Sequence, residues 1–134
     1  MNTQEWIKFL DLCNEILGEG SHSLYLSESW CSWTTFDRIL SDAGYWKCGL
    51  PRKGEYGDTG VFDGGTWGQP LEYSSIAHLI IPSKFEFADM YKGQFVYKET
   101  EQKILELSLK LQEERISHFI SNWALELRLI PANV

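Results

Sequence analysis

SSIAHLIIP, residues 74–82, is the stretch on which the fold turns. It is apolar almost throughout, rich in β-branched Ile, short for a helix and stopped by Pro82, so it reads as a buried strand. Downstream, YKGQFVYKE (91–99) has the aromatic and β-branched character of a second strand. WALELRLI (123–130) sets Trp123, Leu125, Leu127 and Leu129 against Ala124, Glu126 and Arg128, the pattern of a half-buried strand closing the fold. Residues 100–116 pose a conflict, because LELSLKL also alternates. Leu, Glu, Lys and Gln dominate there, no β-branched residue falls between Ile104 and Ile116, and Ile104, Leu107 and Leu111 share a face. A helix is expected.

Upstream, TQEWIKFLDLCNEIL (3–17) carries Trp6, Phe9, Leu10, Cys13, Ile16 and Leu17 at helical spacing, with Thr3 as N-cap, Glu5 in the first turn, and Gly18 and Gly20 to end it. SHSLYLS (21–27) suggests a short strand with Leu24 and Leu26 inward. A second helix is expected over Thr34–Ala43, with Phe36, Ile39, Leu40 and Ala43 on one face and Gly44 as its stop. The order is α-β-α-loop-β-β-α-β. This predicts one α+β domain spanning 1–134, with a small, mainly antiparallel sheet packed against two or three helices.

The formal charge of −7 is unevenly spread. Residues 1–37 hold six acids against one base and residues 54–83 four acids against none, while 38–53 hold four bases against one acid. Two acidic blocks argue against nucleic-acid binding, which needs clustered Lys and Arg to displace counterions. They suit solubility or a basic partner. Cys13, Cys31 and Cys48 form no CxxC, no apolar run resembles a signal peptide, and none approaches the length of a membrane span. A cytoplasmic setting with free thiols and no membrane contact is expected.

The segment before the central strand, GEYGDTGVFDGGTWGQPLEY (54–73), combines six glycines, four acids and four aromatics. Long loops of this kind are functional or disordered, and large aromatics argue against disorder. Glu55, Tyr56, Asp58, Phe62, Asp63, Trp67 and Glu72 are the candidate partner-binding residues, the acids steering association and the aromatics supplying buried anchors.

Catalytic and metal patterns are weaker. Asp58-Thr59-Gly60 matches the aspartic-protease triplet, but that chemistry needs two aspartates sharing a proton, and the chain has one triplet. Asp58, Asp63 and Glu72 are hard oxygen ligands, yet they lack the alternate-position spacing of an EF-hand loop. No GxGxxG follows an expected strand. A Cys31 or Cys48 thiol paired with His22 or His78 has no local signature, and His78 among Ile76, Leu79, Ile80 and Ile81 reads as a structural histidine. His118 falls in a turn where it bonds backbone, and Trp30 and Trp33 serve as core anchors or surface contacts. No catalytic residue, metal or cofactor is expected.

Two segments, FDGGTWGQPLEYSSIAHLII (62–81) and ERISHFISNWALELRLI (114–130), resemble a family of small uncharacterised bacterial proteins. Phe62-Asp63-Gly64 and the run from Pro70 through Tyr73 to Ile76 fit its Asp-Gly … Gly-Pro-x-x-Tyr/Phe-x-x-Ile stretch, with Gln69 inserted between Gly68 and Pro70. The turn Arg115-Ile116-Ser117-His118 and the strand Leu125-Glu126-Leu127-Arg128 fit its end. Small acidic α+β proteins of this type are similar to the immunity proteins encoded beside bacterial toxins. The expected function is an immunity or inhibitor protein that occludes one protein partner, a basic toxin domain, through an acidic, aromatic surface. Alternatives are a small-molecule-binding protein or enzyme whose pocket is covered by the 54–73 loop, and an inhibitor of a defence nuclease that mimics nucleic acid.

Overall fold

The computed structural model describes residues 1–129, so Ile130 of the expected closing strand lies outside the described residues. Among the described residues the architecture is α+β, with three helices and a mainly antiparallel sheet. Helix α1 (Thr3–Leu17) begins one residue earlier in its cap than expected: Asn2 rather than Thr3 is the N-cap. Asn2 Oδ1 accepts from the Glu5 N–H at 2.8 Å and Glu5 Oε1 accepts from the Asn2 N–H at 3.0 Å. This reciprocal capping box satisfies two helix-end donors. Trp6, Phe9, Leu10, Cys13 and Leu17 are buried, as the periodicity requires.

The strand expected over 21–27 is absent. Ser23 O instead accepts from the Leu26 and Ser27 N–H groups, and Ser27 Oγ accepts from the Ser21 N–H at 2.8 Å. Serine hydroxyls that bond nearby backbone compete with a ladder, and they win here, leaving Leu26 exposed. Strand β1 (Cys31–Thr35) takes Thr34 and Thr35 out of the expected second helix, which shrinks to α2 (Phe36–Leu40). Thr35 Oγ1 caps α2 by accepting from the Arg38 N–H. Phe36, Ile39, Leu40 and Ala43 are exposed, so their helical spacing does not mark a core face.

Three short strands follow: β2 (Trp46–Cys48), β3 (Tyr56–Gly57) and β4 (Gly60–Val61). After a single 3-10 turn at Tyr73–Ser75, β5 (Ile76–Pro82) runs through the middle of the molecule. The chain continues through β6 (Lys84–Tyr91), β7 (Gln94–Glu101), α3 (Ile104–Glu113), β8 (Phe119–Ile120) and β9 (Ala124–Arg128). The main sheet has the order β2-β1-β5-β9-β8, every pair antiparallel. Two strands on each side of β5 explain its apolar run.

One sheet face supplies Trp33, Leu79, Ile81, Leu125 and Leu127 to a core completed by α1 and by Ile104, Leu107 and Leu111 of α3. The other face carries half-exposed Ser32, His78, Ile80 and Glu126. Residues 100–116 are helical over Ile104–Glu113, because burial of Ile104, Leu107 and Leu111 on one stripe outweighs the local alternation. In β9 the alternation places Leu125 and Leu127 inward, but Trp123 precedes the strand and is 80% exposed. The strand expected over 91–99 forms from Gln94 onward as β7, but its first residues belong to the end of β6 and to a turn, so the segment is the tip and second arm of a hairpin. Lys92 and Gly93 both have positive φ (50° and 82°) and form a two-residue turn that folds β7 back along β6 in an eight-pair register.

Candidate interaction surfaces

The 54–73 segment is ordered around its own aromatics. Tyr56, Trp67 and Tyr73 are buried and belong to the main core. Trp67 stacks on Trp33 with 3.9 Å between ring centroids and donates its indole N–H to Gly49 O at 2.9 Å. Tyr73 stacks on Trp6 at 5.5 Å and donates its hydroxyl to Gly57 O at 2.7 Å. Tyr56 donates to Asp11 Oδ1 on α1 at 2.7 Å. Burial first, and the adjacent Asp11 carboxylate second, push the Tyr56 hydroxyl well above the ordinary tyrosine range. Backbone pairing of Tyr56 with Val61, and of Val61 with Leu71, ties the two ends of the segment together.

The seven expected partner-binding residues therefore divide. Tyr56 and Trp67 are core anchors and are withdrawn from the surface. Glu55 is a staple: its Oε1 accepts from the Arg52 N–H at 3.0 Å and from the Thr66 N–H at 2.9 Å, closing the loop base. Burial alone would raise this carboxyl, but the Thr66 and Arg52 donors outweigh burial and hold it below its ordinary value. Asp58, Phe62, Asp63 and Glu72 are exposed, Phe62 at 43%. Phe62, Asp63 and Glu72 line one shallow depression with Thr59, Val61, Pro70 and Leu71; Asp58 joins Glu72 in an adjoining one beside the start of α1. The loop thus presents three carboxylates and one aromatic from a rigid support.

The cysteines, His78 and His118 are held within the fold. All three cysteines are free and buried, and burial pushes each thiol up, away from the thiolate. Cys48 donates to Thr66 O at 3.0 Å, and its sulfur lies 4.0 Å from His22 Nδ1. His78 bonds Glu126 Oε1 through Nε2 at 2.9 Å and the Tyr45 hydroxyl through Nδ1 at 2.7 Å. Glu126 is held below its ordinary range by the Arg128 guanidinium first and, against its own burial, by His78. His118 Nδ1 donates to Ile116 O at 2.8 Å, and Nε2 shares a hydrogen bond with the buried Ser108 hydroxyl at 2.7 Å. This pair fastens the turn after α3. Among the described residues no group of three or more His, Cys, Asp or Glu could hold a metal ion. Nor is any helix among them long and apolar enough to cross a membrane.

A second surface was hidden from the sequence reading. The β6–β7 hairpin packs one face on the body, where Phe87 and Tyr91 meet Tyr25 and Phe85 stacks on Trp30. Gln102 holds its base: Oε1 accepts from the Trp30 N–H, and Nε2 donates to Trp30 O and Pro82 O. The opposite face exposes Met90 (57%), Phe95 (68%) and Tyr97 (57%) beside Glu86, Glu99 and Glu101. Lys92-Gly93 between alternating segments is the signal that would have found it.

In comparisons of the chain with family models, curated proteins and solved structures, nothing matches.

Proposed function

We propose that the chain is a protein-binding module of the immunity or inhibitor type, which covers a basic surface of one protein partner. The observation that carries this reading is the braced loop: Asp63 and Glu72 stand exposed beside Phe62, with Asp58 exposed in the depression adjoining through Glu72, on a segment whose other aromatics are locked in the core. A fixed set of carboxylates steers a basic partner and costs little ordering entropy on binding. A small-molecule pocket beneath the loop is less favoured, because Tyr56, Trp67 and Tyr73 fill that space. The basic toxin domain expected from the family resemblance has the surface chemistry such a loop would recognise. Co-purification with the products of neighbouring genes tests the proposal. A stable complex with a basic product is expected, and the absence of a complex with any of them would contradict it.

A further inference from the structure

The β6–β7 hairpin is a two-stranded ribbon with no third strand on either edge among the described residues. Only its inner face is packed, and natural proteins usually blunt or cover such edges. Pairing of Tyr91 with Gln94 across the turn sets the alternation along the ribbon. In antiparallel pairing this makes Phe95, Tyr97, Glu99 and Glu101 the β7 residues whose N–H and C=O groups point away from β6. The same four side chains lie on the unpacked face, so backbone and side-chain recognition coincide.

Charge on this face selects the occupant. Glu86 and Glu99 are directly opposite across the strands, a like-charge pair that destabilises the ribbon unless a cation sits between them. Lys84 reaches Glu99 at 3.7 Å, while Glu86 and Glu101 have no ion-pair partner among the described residues. Lys84, Glu86, Glu99 and Glu101 together leave the face with two net negative charges. A second copy of the chain fits poorly. Two β7 edges paired about Lys98 would set Phe95 against Glu101 and Tyr97 against Glu99, with both faces negative.

We propose that the free edge of β7 accepts an extended, basic strand of the partner protein. Antiparallel addition requires side chains that read basic-x-basic-x-apolar-x-apolar from the partner's N-terminal end, opposite Glu101, Glu99, Tyr97 and Phe95 in turn. Main-chain bonds supply affinity and the alternate side chains supply selectivity. This inference rests on the reading of the chain as a protein-binding module.

The test uses the full chain, isotopically labelled, titrated with the synthetic peptide Lys-Thr-Lys-Thr-Val-Thr-Val and with its Glu-for-Lys counterpart. With the Lys peptide the amides of Phe95, Tyr97, Glu99 and Glu101 shift and gain about tenfold or more protection from hydrogen exchange, whereas the Glu peptide leaves them unchanged. The double substitution Glu99→Lys and Glu101→Lys, both at exposed positions, reverses that preference. Absence of binding, shifts confined to residues 55–72, or an unreversed preference each overturn strand addition. A basic partner protein bound equally by wild type and the reversed hairpin also overturns it, while leaving the binding reading intact. Failure to bind any basic protein removes both.

Discussion

Trp33 and Trp67 lie face to face, yet their indole N–H groups have different fates. Trp67 donates to Gly49 O, whereas the buried Trp33 Nε1 has no partner among the described residues. Replacing each with Phe removes similar ring volume, but Trp67→Phe also leaves a buried carbonyl short of a donor. Trp67→Phe is therefore expected to destabilise by about 1–2 kcal/mol more than Trp33→Phe in urea unfolding. Equal costs would show that the Gly49 bond contributes nothing net. Glu55 makes a pH prediction. Its carboxyl lies below the ordinary value in the folded chain. The stabilisation from its ionised form is thus complete above about pH 4.3, the unfolded value, and is lost as pH falls through the folded value. Glu55→Gln should be less stable than wild type at neutral pH, with the gap shrinking under acid; a pH-independent gap would contradict the staple. Glu55 looked from the sequence like a partner-facing acid. Its true work was not legible because one of its two donors, Thr66, is distant along the chain and reaches it only through the loop's own fold.

At the scale of elements, legibility followed apolar periodicity. α1, β5 and α3 were readable because each buries an apolar stripe or run against the others, and that periodicity is a direct consequence of packing. The differences came where apolar periodicity is lacking: the buried strand β1 is rich in Ser and Thr and carries no such signal. Residues 21–27 obey serine hydroxyls, α2 exposes its apolar side, and the aromatic and β-branched character of 91–99 marks a strand without revealing the turn at Lys92-Gly93 inside it. Two connecting features predict measurable effects. Gln102→Ala strips the Trp30 N–H and C=O and Pro82 O of a buried partner, so a loss of about 3 kcal/mol is expected in chemical denaturation, with β6–β7 amides losing protection first. Uniform loss of protection would show that Gln102 does not specifically secure the hairpin. Gly60 sits at φ 128°, and a Cβ there would lie 2.1 Å from Leu71 O. Gly60→Ala should cost roughly 2 kcal/mol or more, because both the backbone conformation and the pairing of Val61 with Leu71 resist it.

Across the whole molecule, the acidic character read from the sequence becomes a question of which charges are free to act. Net charge of −7 says only that the surface repels anions and attracts basic partners. Glu55 is taken up by the loop base and Asp11 by Tyr56, while Asp63 and Glu72 remain exposed beside Phe62 and Asp58 remains exposed in the adjoining depression. Aromatic content was likewise a correct sign of large apolar surfaces but a poor guide to their placement. Tyr56 and Trp67 stabilise the core, and the exposed rings Phe95 and Tyr97 sit on a hairpin that the composition of the loop could not reveal. The most direct test of the binding reading is the association rate with a co-purifying basic partner, measured by stopped flow across ionic strength for wild type and for the triple substitution Asp58→Lys, Asp63→Lys, Glu72→Lys. The account predicts a wild-type rate that falls about tenfold or more from low to high salt, and a slower, nearly salt-independent rate for the variant. A wild-type rate flat with salt, or a variant as fast as wild type, would contradict it.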